Sequence, residues 1–229
     1  MDELTISTKK TSNTVLIAGI AIAFVLPIIL TEIIAASKLD YLDKIFYSRF
    51  IYWADSAVII LYAYFAEHQK PLLWRAKQRD IGFFILSVIV LYFLGLGCSV
   101  VSAIPRFLGW KENDEVIKKL ADILRGRTAL IIFICLTAGV TEEFLFRGYI
   151  LTRLSLIFKN RYLPVIISAV LFSLLHYRYN SLREYLVTFA IGVVFGVYYQ
   201  KYRNIGALMA VHFLVDFIGL EVATHFTLK

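Results

Sequence analysis

Cysteine is scarce: the 229-residue chain has two, Cys98 and Cys135, both inside apolar runs. A free thiol there behaves as a small hydrophobe, so neither a disulfide framework nor a cysteine zinc site is expected. No HExxH helix occurs, no ten-residue alternating pattern of a membrane β-barrel competes with the apolar runs, and no internal repeat is visible. Charge is sparse at 18%. What the chain has in abundance is apolar residues, 59% of the total, with a mean hydropathy of +0.72. That balance excludes an ordinary soluble domain and predicts an integral membrane protein.

The apolar runs approach the roughly 20 residues that a helix needs to cross a hydrocarbon core. Seven spans are predicted, at about 14–36, 50–66, 80–104, 128–151, 162–177, 185–200 and 204–224, so the fold class is an all-α polytopic helical bundle forming one transmembrane domain over 1–229. The first run follows Lys9 and Lys10 but exceeds the roughly 7 to 15 residues of a signal-peptide core, and is read as a retained span. The net charge of +7 resides in connections such as 72–80 and 160–162, as membrane-flanking anchors and contacts to anionic headgroups. Nucleic acid is not an expected partner. Lys and Arg are nearly balanced between the two sides, so loop charge gives no orientation. The connection 105–127 interleaves charged residues with Val116, Ile117, Leu120, Ile123 and Leu124, the pattern of an interfacial amphipathic helix.

Against that background the stretch TEEFLFRGYI, residues 141–150, places two glutamates and an arginine inside a span. His176 closes LPVIISAVLFSLLH, and His212 with Asp216 lies in ALMAVHFLVDFIGL. Ionisable groups inside spans are costly and are functional by default. Glu32 and Asp55 are set aside as near enough to span ends to hydrate. Glu143 and Arg147, four apart with the glutamate first, are placed to form an ion pair, leaving Glu142 without a local partner. His212 and Asp216 share a helix face, and Phe172 lies one turn before His176.

Taking the connections near 158–162 and 201–204 as one membrane side, the helix rise puts Glu142 roughly 25 Å, His176 roughly 21 Å, His212 roughly 12 Å and Asp216 roughly 18 Å from it. Three antiparallel helices can gather these groups near the opposite face, beneath the 105–127 segment as a lid. A carboxylate without a partner in a low-dielectric site is a usable base for activating water, and an imidazole beside it can share the proton. Glu142 with His176 would form such a pair. His212, one helical turn from Asp216, would donate with it to the oxyanion formed when water attacks a peptide carbonyl.

These residues resemble a known family. EEFLFRG fits EExxxR, LFSLLH fits FxxxH and HFLVD fits Hxxx(N/D), in the order found in the CAAX prenyl protease and bacteriocin-processing family, also called CPBP or Abi, over a core of about 127–220. The resemblance implies a glutamic intramembrane endopeptidase with no cofactor and no metal, built like the type II CAAX proteases. Glu142 then resembles the base that activates water and His176 its assistant. Glu143 with Arg147 resembles the pair that fixes the site, supported by Phe172, and His212 resembles the oxyanion donor. Asp216 stands where the prenyl proteases carry asparagine. An ionised aspartate cannot donate to an oxyanion, so Asp216 is either protonated or orients His212.

The implied substrate is a membrane-associated peptide or protein, with or without a lipid, met in the bilayer of a prokaryotic cell membrane. Other readings remain open at this stage. EExxxR can be a buried ion pair and polar glue, and His176 by itself can be an interfacial residue. A non-catalytic immunity or binding protein can use the same scaffold, and a zinc-dependent peptidase can use the same histidines. A proton-coupled carrier also uses intramembrane carboxylates and histidines, but would be expected to show broken helices or a repeat. Gly192 and Gly196 form a GxxxG that predicts a close-packing helix face.

Overall fold

The computed structural model describes residues 11–226. Every regular element among them is helical. Helix α1 (Asn13–Ala36) starts where the Ser12 hydroxyl accepts from the Val15 amide, and α2 spans Tyr41–Phe65. Helix α3 (Ile81–Ser102) opens on the Asp80 carboxylate, which accepts from the Phe83 amide at 2.9 Å. The one-turn α4 (Ile104–Phe107) and the amphipathic α5 (Glu115–Leu124) follow, then α6 (Thr128–Glu143). Helix α6 continues without a break through a π-helical stretch, Phe144–Leu151, into α7 (Thr152–Ile157). Helices α8 (Tyr162–Leu174), α9 (Leu182–Tyr202) and α10 (Ile205–Phe226) complete the bundle.

The seven predicted spans correspond to α1, α2, α3, the α6–α7 rod, α8, α9 and α10. Five are long and apolar enough to cross a membrane by themselves: Asn13–Ala36, Ile81–Phe107, Thr128–Ile157, Leu182–Tyr202 and Ile205–His225. The other two differ for separate reasons. Helix α8 has 13 residues, about 20 Å of rise. Helix α2 begins at Tyr41, well before the predicted start at 50, and so draws Asp43, Lys44 and Arg49 into the helix. The chain is an all-α polytopic membrane protein.

The rod from α6 to α7 is the axis of the bundle, and residues 141–154 are buried without exception. A helix apolar on one stripe faces a core on one side only, whereas one buried all round must be surrounded by others. One apolar cluster packs Phe144, Phe146, Tyr149 and Ile150 against Ala23, Ile59 and Ala63 of α1 and α2. Another packs Leu151 against Leu91, Phe195, Tyr199 and Val211 of α3, α9 and α10. The charges of 142–147 are therefore enclosed by protein rather than lipid, and this is why the stretch tolerates them.

Glycine sets two of the closest approaches. A Cβ on Gly139 would lie 2.9 Å from the Met209 carbonyl oxygen and 3.0 Å from the Phe213 nitrogen, both backbone atoms of α10. On α9, a Cβ on Gly192 would meet Ala169 at 2.9 Å and one on Gly196 would meet Val165 at 2.9 Å, so the GxxxG face packs on α8.

Candidate active site

Glu142 and Glu143 end α6 where the helix widens into its π-helical stretch, a distortion found at functional sites more often than elsewhere. Glu143 is fully buried and its Oε1 accepts two hydrogen bonds, each 2.8 Å, from Nη1 of Arg147 and Nδ1 of His212. Arg147 lies between aromatic faces, its guanidinium carbon 4.4 Å from the Phe172 ring centre and 5.4 Å from that of Phe195. Phe172 thus braces the ion pair and also packs in a T-shaped arrangement with the His176 ring, their centres 5.1 Å apart.

His212 is the hub. With Nδ1 committed to Glu143, its Nε2 faces Asp216 Oδ2 at 3.4 Å and Glu142 Oε2 at 3.9 Å. Both neighbours of Nε2 are carboxylate oxygens, so a proton on Nε2 meets acceptors and a lone pair there would meet other lone pairs. The arrangement suits Nε2 as a donor. Glu142 accepts no hydrogen bond from a protein group among the described residues and faces open space.

His176 lies just past α8, whose last helical residue is Leu174. Its Nδ1 is 3.0 Å from the Phe172 carbonyl oxygen. A carbonyl only accepts, so Nδ1 carries the proton and Nε2 of the neutral ring is left as an acceptor. The ring stacks on Tyr179 at 6.0 Å. Burial, with the Glu184 charge next in weight, holds the Tyr179 phenol well above its ordinary value, so it remains a neutral hydroxyl.

Two cavities meet at this cluster. The first, about 540 Å³, lies between α1, α2, α5 and the turn after α8, and the second, about 500 Å³, between α3, α5, α9 and α10. Glu142 and His176 line both, whereas His212, Asp216 and Phe172 line only the second. Val116, Lys119 and Leu120 of α5 wall the first cavity, and Ile117 and Leu120 the second, which puts the amphipathic helix over the cluster. Glu112, just before α5, accepts from Ser181 Oγ at 2.9 Å and so ties this cover to the start of α9. Among the described residues no three His, Cys, Asp or Glu side chains are grouped so as to hold a metal ion.

Some sequence expectations need correction. Asp55 does not hydrate at a span end: it is fully buried within α2, and neither carboxyl oxygen has a hydrogen-bond partner among the described residues. Its run looked terminal only because the helix start was placed too late. Glu32 does sit at an exposed end, where it accepts from Tyr177 and pairs with Arg178 at 3.1 Å. Asp216 does face His212, at Nε2, while a second carboxylate that the sequence did not pair with this ring, Glu143, holds Nδ1. Phe195, Tyr179, Glu184 and Arg49 join the site without having been singled out. Phe195 reads as an ordinary packing residue of its span, while Arg49, Tyr179 and Glu184 fall in connections just outside the predicted spans, and only the packing of the helices brings them to the cluster.

A comparison with known sequences follows from the same stretch. Residues 125–218 match the sequence profile described as type II CAAX prenyl endopeptidase Rce1-like. Over this region the chain is similar to the Rce1-like family. The matched region takes in the α6–α7 rod, α8, α9 and the part of α10 that carries His212 and Asp216, so Glu142, Glu143, Arg147, His176, His212 and Asp216 all fall inside it, and Arg49 does not. A relative, the "Uncharacterized protein YpbD" of Bacillus subtilis (strain 168), is 28% identical over 146 residues, covering 63% of this chain and 69% of its own. No solved structure matches the chain.

Proposed function

We propose that this protein is a glutamic intramembrane endopeptidase that hydrolyses a peptide bond of a membrane-associated peptide or protein. The observation that carries the reading is the division of labour between adjacent glutamates. Glu143 is buried, doubly hydrogen-bonded and spent on positioning, while Glu142 faces a cavity with its oxygens available. The family description, a type II CAAX prenyl endopeptidase, supports the same class of reaction.

In the proposed reaction, a water lies between the Glu142 carboxylate and Nε2 of His176. Glu142 takes one proton as the hydroxide oxygen bonds to the substrate carbonyl carbon. The oxyanion forms against Nε2–H of His212, whose ring is held by Glu143 and, through it, by Arg147. Asp216 keeps that N–H directed into the cavity until the substrate oxygen replaces it. Glu142 then gives its proton to the departing amine as the C–N bond breaks. Substrate reaches the cluster through a cavity opening toward the bilayer under α5, in the cell membrane of a prokaryote, a setting the Bacillus relative supports.

The test compares new protein termini in membranes from cells carrying the wild type or Glu142→Gln at matched abundance. Termini found only with the wild type, and still formed by purified protein after strong chelation, are expected. A phenotype rescued equally by Glu142→Gln, with no difference in termini, would replace this reading with a non-catalytic binding role. Activity lost on chelation and restored by zinc would replace it with a metallopeptidase.

A further inference from the structure

Arg49 projects from α2 at the place where the two cavities join. Among the described residues six line both: Arg49, Leu120, Ile134, Glu142, His176 and Tyr179. Its guanidinium rests on the Tyr52 ring, 5.2 Å from the centre, and donates to the Ser48 hydroxyl from Nε at 3.4 Å and Nη2 at 3.2 Å. A hydroxyl leaves the charge unneutralised. Arg147, Arg153 and Arg178 each pair with a glutamate, Glu143, Glu67 and Glu32 respectively, whereas Arg183, which lines the second cavity alone, and Arg203, which lines neither, have no such pair among the described residues. Arg49 has no carboxylate within 4.0 Å among the described residues, although it is half-buried. A guanidinium kept partly out of water without an anion is costly, and its planar fork suits a carboxylate.

The nearby cations have other tasks. Lys44 donates from Nζ to the Ala35 carbonyl at the end of α1, at 2.8 Å, and Lys119 lies exposed over the Tyr41 ring. Arg183 lines only the second cavity, so among the described residues Arg49 is the cation that lines both cavities together with Glu142 and His176. We propose that Arg49 is a specificity-determining residue that binds a carboxylate of the substrate peptide while the bond to be cut lies at Glu142. This rests on the peptidase reading. The carboxylate is either the chain's own C-terminus or an Asp or Glu side chain beside the cut. Its pairing with Arg49 would fix the register of the peptide across the junction and exclude uncharged sequences.

The experiment uses full-length Glu142→Gln protein in phosphatidylcholine nanodiscs, so that binding is read without turnover. Degenerate ten-residue peptide pools are offered as free acids and as C-terminal amides, each with and without Asp and Glu, and retained peptides are counted by mass spectrometry. Carboxylate-bearing peptides are expected to be retained at least tenfold over the carboxylate-free amide pool. Adding Arg49→Ala should remove the preference and Arg49→Lys should restore part of it, with unfolding midpoints unchanged. Retention in the free-acid pool lacking Asp and Glu assigns the C-terminus, and retention confined to Asp- or Glu-containing amides assigns a side chain. Equal retention of all pools, or a preference that survives Arg49→Ala, overturns the proposal. So does loss of the preference when phosphatidylglycerol replaces phosphatidylcholine, which would make Arg49 a lipid-phosphate site. Cleavage of the same pools by the wild type is scored separately, and its failure counts against the peptidase reading alone.

Discussion

His212 on α10 and Glu143 on α6 are joined across the helix interface by a 2.8 Å contact from Nδ1 to Oε1. The same oxygen accepts from Arg147, so one buried carboxylate sets the ion pair and the imidazole together. Glu143→Ala strands the Arg147 guanidinium and frees the ring. The expected result is a loss of about 3–5 kcal/mol of stability, since breaking a buried pair leaves an uncompensated charge. Arg147→Ala should lower folded yield in the same way by stranding Glu143. Unfolding midpoints and detergent-extracted yield measure both. A Glu143→Ala protein as stable as the wild type would show that the pair is not what holds this end of α6.

Gly139 lies one turn before Glu143 and touches the α10 backbone. Backbone atoms cannot swing aside as a side chain can, so Gly139→Ala must separate α6 from α10. A shift approaching 1 Å at a reacting group can cost on the order of a hundredfold in rate. Cleavage is expected to fall by that order while stability falls by about 1–3 kcal/mol. Gly97→Ala, where an added Cβ meets nothing within 4 Å, serves as the control and should be neutral or mildly stabilising. Equal activity of the two variants would mean that the helix spacing does not set the site.

A second buried charge network lies away from the cluster. Arg153 donates to Glu67 Oε2 from Nη2 at 2.7 Å and from Nε at 3.1 Å, to the Lys70 and Pro71 carbonyls, and lies over the Tyr149 ring, whose hydroxyl donates to Glu67 Oε1. It pins the segment after α2 to the rod. Arg153→Ala should cost about 3–5 kcal/mol, and Arg153→Lys should not restore it, because an ammonium cannot replace a planar fork making several bonds at once. Activity per folded molecule should be nearly unchanged. A rate loss without a stability loss would instead tie this network to catalysis.

Asp55 offers the opposite experiment. A buried carboxyl with no partner costs roughly 1–3 kcal/mol in desolvation, and an apolar side chain of similar size avoids that cost. Asp55→Leu is therefore expected to raise the unfolding midpoint by a few degrees, on the scale of a chain this size. A fall would show that the carboxyl is engaged by a bound cation or water whose loss matters.

The sequence by itself determined the membrane class, the helical architecture and which residue types could do chemistry. Those follow from runs of apolar residues long enough to need no partner for their backbone, and from charges too costly to keep inside a span without use. It also brought Glu142, Glu143, Arg147, His176, His212 and Asp216 forward as one set, because spacing along a helix fixes which groups share a face. Three matters were decided only by tertiary structure. Whether Glu143 or Asp216 holds His212 Nδ1 depends on how α10 packs against α6, which approach closely enough at Gly139 to leave no room for a Cβ. Whether Arg49 lies in a connection and Asp55 near a span end, or both well inside the bundle, depends on α2 starting at Tyr41, nine residues before its apolar run reads as a span. The π-helical stretch that carries Arg147 reads as ordinary apolar helix in the sequence, and its side chains pack against α1 and α2.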